Sequence, residues 1–125
     1  MKDLQSKIGV ALSLSVSAHT TTANGVGVDL QGFNSAVAVI APGTITDGTH
    51  TPKIEESDDN AAWSDVAATD LVGSLVEIAT DTPQKVGYKG VKRYIRVTTT
   101  VAGATTGGVY GAQIIRGDAD IGPIQ

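Results

Sequence analysis

The chain has 125 residues, enough for one domain with a real core, and its hydrophobic 41% is mostly Val, Ala and Ile, with aromatics at only 4%. A formal net charge of −4 argues against nucleic acid as the main ligand, because phosphate binding needs a basic surface. The absence of cysteine excludes disulfides and thiolate metal sites, and no apolar stretch approaches the roughly 20 residues that a membrane helix requires.

Fifteen glycines and a wealth of β-branched residues favour strands and turns over helices. Residues 1–7 are polar and read as a short arm. Over the second half of Ile8 to Ala18 the pattern alternates, with Leu12, Leu14 and Val16 on one face and Ser13, Ser15 and Ser17 on the other. That period of two predicts a strand, where a signal peptide would carry a continuous apolar run. A turn region follows, His19 to Gly27, with Asn24-Gly25 as a tight-turn dipeptide. Gln31 to Ala41 is apolar on both faces towards its end and predicts a central strand, stopped by Pro42-Gly43. Asp47-Gly48 then suits a wide hairpin into Thr51 to Glu56.

Ser57 to Asp70 is the most loop-like segment, and Trp63 within it is expected to pin the loop to the body, since a large ring among polar residues buries its flat face. Asp70 to Thr80 predicts one or two short strands, and Asp81-Thr82-Pro83 a turn. The strongest strand lies within Val86 to Val101. Tyr94, Arg96 and Thr98 share one face of it, Ile95, Val97 and Thr99 the other. Ala102 to Gly107 reads as a hairpin loop, Gly108 to Arg116 as the closing strand, and residues 117–125 as an extended arm. Seven or eight short strands with frequent turns predict a single-domain, all-β antiparallel sandwich or jelly roll over residues 8–116. Periodicity does not separate the jelly roll from an immunoglobulin-like order.

Chemistry-bearing clusters are few. Glu55-Glu56-Ser57-Asp58-Asp59, with Asp65 nearby, has oxygen ligands suited to Ca²⁺ but no EF-hand spacing, so it reads as a solvated turn. His19 and His50 sit in different polar stretches and are expected at the surface. No Gly-x-Ser-x-Gly elbow is present, and Gly25-Val26-Gly27 lacks the third glycine of a dinucleotide fingerprint. Glu56 and Asp59 are the nearest approach to a glycosidase carboxylate pair, without the context one needs. Arg116-Gly117-Asp118 spells an adhesion tripeptide that nothing else in the chain supports. No catalytic, metal or cofactor site is expected. The basic concentration Lys85, Lys89, Lys92, Arg93 and Arg96 reads either as solubilising charge on a strand or as a patch that docks on an acidic protein. Of these, Lys89, Lys92, Arg93 and Arg96, together with Tyr94, are the candidate partner-binding side chains, and Trp63 and Phe33 the candidate anchors.

The order Asp29-Leu30-x-Gly32-Phe33-x-Ser35-Ala36, Gly43-x-Ile45-x-Asp47-Gly48, Glu55-Glu56-Ser57-Asp58-Asp59, Trp63-x-Asp65-Val66 and Gly87-Tyr88-x-Gly90-x-Lys92-Arg93-Tyr94-x-Arg96-Val97 resembles the head decoration, or cement, proteins of tailed bacteriophages and prophages. The resemblance spans about residues 7–118. It implies a jelly-roll sandwich without enzymatic activity or cofactor, made in the bacterial cytoplasm and carried on the virion. There it would bind the major capsid protein and neighbouring copies of itself, as a dimer or trimer, with the terminal arms reaching to neighbours. A carbohydrate-binding sandwich on the virion or tail, with Trp63 and a tyrosine as stacking platforms, is the alternative.

Overall fold

A computed structural model of the chain describes residues 8–119. Ten strands lie within them: β1 (Gly9–His19), β2 (Ala23–Asn24), β3 (Val28–Asp29), β4 (Phe33–Ile45), β5 (Thr49–Ser57), β6 (Ser64–Asp65), β7 (Leu71–Val72), β8 (Gln84–Tyr88), β9 (Tyr94–Ala102) and β10 (Gly108–Ala119). One 3₁₀ turn, Ala68–Asp70, precedes β7. The first sheet has the order β1-β10-β4-β8-β7; the second runs β2-β9-β5-β6, with β3 also on β9. Every pairing is antiparallel.

The pairings are nested. The first strand lies on the last, β2 and β3 on β9, β4 on β8 and β5 on β6. A chain folded into one long ladder and then wrapped into two facing sheets gives this order, which is the jelly roll. Sequence periodicity left that choice open; the register decides it.

The core between the sheets is built from small and β-branched side chains. Ala38 and Ile40 of β4, Ile54 of β5, Val86 and Tyr88 of β8, Ile95 and Val97 of β9, and Tyr110, Ala112 and Ile114 of β10 are buried. The expected faces of β9 hold: Ile95, Val97 and Thr99 point inward, while Tyr94 and Arg96 stay partly exposed.

Several local expectations change. Pro42 does not stop its strand, because β4 continues to Ile45. Strand β8 pairs β4 only as far as Ile40, so one side of β4 is open beyond that point and a residue without an N–H is tolerated there. Neither expected hairpin exists. Residues 46–48 carry the chain from β4 in the first sheet to β5 in the second, and residues 103–107 carry it from β9 back to β10. Asn24-Gly25 makes no tight turn: Asn24 pairs with Thr98, and a Cβ on Gly25 would strike the Val97 carbonyl and Ser13. Glycine serves close approach there, not a left-handed backbone.

The alternation expected in β1 also breaks. The register shifts between Leu12 and Leu14 and again between Leu14 and Ser17, so β1 carries bulges. Ser13 and Leu14 are both buried while Leu12 and Val16 are exposed. Finally, β10 runs on to Ala119, and Arg116 and Gly117 pair with Ala36 and Ser35 of β4. The adhesion tripeptide therefore begins inside a sheet, not at a loop tip. Of the expected arms, residues 1–7 and 120–125 lie outside the described residues.

Candidate docking site

The two sequence blocks around Gly32-Phe33 and Gly87-Tyr88, more than fifty residues apart, meet at one end of the sandwich. They line a groove of about 820 Å³ that takes in Leu30, Phe33, Tyr88, Lys89, Lys92 and Arg93. One wall is the turn entering β4. The Asp29 carboxylate accepts the Gln31 N–H at 2.9 Å, Gly32 adopts φ +89°, and the Phe33 N–H closes onto the Leu30 carbonyl at 3.0 Å. The other wall is the β8–β9 connection, residues 89–93. Its Lys89 N–H bonds the Asp70 carbonyl at 2.8 Å, and its Arg93 carbonyl accepts the Leu30 N–H at 2.7 Å.

Tyr88 holds this connection from beneath. Its hydroxyl donates to Glu56 at 2.8 Å and accepts the Lys92 N–H at 3.1 Å. Burial, reinforced by the Glu56 carboxylate, pushes its hydroxyl well above the ordinary tyrosine range, so it remains a donor. Gly90 rides over the ring, where a Cβ would collide with it. The loop thus presents Val91 to solvent at 96% exposure on a fixed backbone.

The five candidate partner-binding residues do not form one patch. Lys89, Lys92 and Arg93 line the groove, whereas Arg96 lies on the outer face of the second sheet. Most of the cations are engaged internally. Arg93 grips Asp29 through two bonds of 2.9 and 2.8 Å, which holds the Asp29 carboxyl below the usual range. Lys92 meets Asp58 at 2.8 Å, and Arg96 meets Glu55 at 2.7 Å. Lys85 and Lys89 are the cations of the cluster that form no ion pair among the described residues. Tyr94 is half-buried, with the Arg93 guanidinium 5.1 Å from its ring centre.

The acidic cluster is likewise divided by strand alternation. Glu55 faces outward to Arg96, Thr98 and Lys53, while Glu56 turns to Tyr88. Asp59 caps its own loop by accepting the Ala61 and Ala62 N–H groups, which lowers its carboxyl's proton affinity. Each of the two candidate anchors lies beneath an arginine. Trp63 packs on Gly27 and lies 4.4 Å from the Arg96 guanidinium, and Phe33 lies 4.7 Å from that of Arg116. A face of each ring is therefore taken, which removes much of the case for Trp63 as a sugar platform.

His19 and His50 are not scattered surface residues. Both converge on Tyr110 at the opposite end of the sandwich. The His19 ring stacks on Tyr110 with centroids 4.5 Å apart. His50 is buried, its Nδ1 lying 2.9 Å from the Tyr110 hydroxyl and its Nε2 3.0 Å from the Asp47 carbonyl. A carbonyl only accepts, so Nε2 carries a proton. The parity His50, Pro52, Ile54 places His50 on the core side of β5, a signal already present in the alternation.

No protein-family model matches the chain, and no curated protein matches it in sequence. Among solved structures the chain is similar to the SPBc2 prophage-derived protein YomS, at 14% identity and a TM-score of 0.52, over 87% of this chain and 93% of YomS. The likeness is one of fold.

Proposed function

We propose that this is a non-enzymatic structural protein of a phage virion that binds the outside of the capsid lattice and stabilises the head. The observation that carries this reading is the meeting of two of the five resembling blocks, 29–36 and 87–97, at one end of the jelly roll. There the groove, the fixed loop with Val91 at its tip and the Lys89 ammonium stand together. The described chain also begins and ends at that end, since Gly9 pairs with Arg116 and Ala119 with Phe33. A fold shared with a prophage-derived protein supports the same setting. A shell offers many identical sites, so a modest contact per copy gives firm occupancy once loops and arms engage together.

The test is co-sedimentation with empty shells lacking the protein. Binding should saturate at a fixed ratio to the major capsid protein. Val91→Asp with Lys89→Glu should weaken it by about tenfold or more, the effect of losing an apolar anchor and reversing one charge. Removing residues 1–7 or 120–125 should lower occupancy while leaving the melt unchanged. Absence of any shell binding by the intact protein overturns the proposal, and a positive glycan array in its place would favour the carbohydrate-binding alternative.

A further inference from the structure

The two outward faces of the sandwich are finished differently. On the second sheet, Arg96, Glu55, Lys53 and Asp65 form a run of ion pairs, with Thr98 bonded into it at 2.9 Å. Among the described residues, the outer face of the first sheet has no such network. Register places Val10, Ile115, Val37, Gly87 and Val72 in one row across all five strands, and Val72 lies over Gly87. The next row is Leu12, Gln113, Val39 and Lys85. A third pairs Gly111 with Ala41 and is covered by Val16, and in a fourth Val109 lies against Gly43.

Eight large hydrophobic side chains are exposed among the described residues, and five of them belong to this face: Val10 at 55%, Leu12 at 50%, Val16 at 65%, Val72 at 60% and Val109 at 41%. Lys85 is the one charged side chain in the four rows. Strand β1, at the edge, carries no Asp, Glu, Lys, Arg or Pro, the residues that ordinarily guard such an edge.

We infer that the outer face of the first sheet is the contact surface between two copies of this chain, which pack sheet to sheet about a two-fold axis. Charge favours this occupant. A chain of net charge −4 repels its own copy everywhere except across a charge-poor surface, and this face is the charge-poor one. Size agrees as well. With strands about 4.8 Å apart and rows about 6.7 Å apart, the face spans on the order of 500 Å². Two copies then hide on the order of 1,000 Å², the lower limit for a specific interface. The four rows hold no long side chain apart from Lys85 and Gln113, as sheet packing at about 10 Å requires. An apolar patch of this extent is in the size range that is often functional.

The measurement is the mass of the intact chain in solution by sedimentation velocity, from low to high micromolar, with no shell present, so its outcome is independent of the capsid reading. The wild type should sediment as a dimer. Val37→Lys with Val39→Lys should raise its dissociation constant at least about 100-fold, because each ammonium would be buried without a partner. Both side chains point away from the core, so the variant should keep its circular dichroism and melt. Val91→Lys, at the groove end, should leave the dimer intact. A wild type that is monomeric throughout overturns the inference, as does a double variant that remains dimeric. A monomeric wild type whose lysine variant loses shell binding would assign the face to the shell instead, and would equally overturn it.

Discussion

Asp47 shows how much one partly exposed carboxylate can organise. Its two oxygens accept the N–H groups of Thr105, Thr106 and Gly107, the last at 2.6 Å, while its main-chain carbonyl accepts from His50. It thus ties the 46–48 and 103–107 crossovers together at the end opposite the groove. The Gly107, Thr106 and Thr105 N–H groups hold the Asp47 carboxyl below its ordinary value of 3.8, and Asp29 is lowered in the same sense by Arg93. A carboxyl whose folded pKa is depressed adds stability above its unfolded value and loses it as pH falls through the folded one. The contribution of these two carboxyls to unfolding free energy should therefore be constant through neutrality and be lost below about pH 4. Asp47→Asn should be less stable at pH 7 yet show a shallower acid limb, read by urea melts at both pH values. An acid limb as steep as the wild type's would remove Asp47 from this role. The Asp47-Gly48 dipeptide was visible in the sequence as a turn. That the turn crosses between sheets was not, because the N–H groups it gathers lie some sixty residues downstream.

At the scale of elements, β1 is the strand whose pattern misleads. Alternating serines and aliphatics over Leu12 to Ser17 look like one clean strand face, but two bulges move Ser13 inward and Val16 outward. Position 13 rewards a hydroxyl there. Ser13 Oγ donates to the Val26 carbonyl at 2.9 Å and accepts the Val97 N–H at 3.0 Å, which sews β1 of the first sheet to β9 of the second. Ser13→Ala leaves that buried N–H unpaired and should cost about 1–3 kcal/mol in a urea melt. A loss within about 0.5 kcal/mol would mean that water or a backbone shift replaces the bond. By contrast, the faces of β9 were legible from Tyr94 to Thr99, because no bulge interrupts its ladder with β5. Alternation predicts orientation only where the register is continuous. The groove was legible in pieces: Lys89, Lys92 and Arg93 stood out as charges, but the carboxylate partners of Lys92 and Arg93 are Asp58 and Asp29, far away in the chain. No local spacing signals such pairs.

For the whole molecule, the nested ladder makes the chain's end as necessary as its middle. Strand β10 lies between β1 and β4 and supplies Tyr110, Ala112 and Ile114 to the core. A chain ending at Gly107 would keep every other strand but leave β1 without its neighbour and the core without its largest buried side chain. It should show no cooperative unfolding transition, since a small, aliphatic core has little stability to give up. A chain ending at Ala119 keeps the full ladder and should melt as the intact protein does. Pairing between the first and last strands also implies folding in milliseconds to seconds rather than microseconds, as expected where contacts are distant in sequence. Both truncations can be followed by circular dichroism and urea titration. Cooperative unfolding of residues 1–107 alone would show that the first sheet assembles without β10, and would overturn the account of the jelly roll as one indivisible ladder.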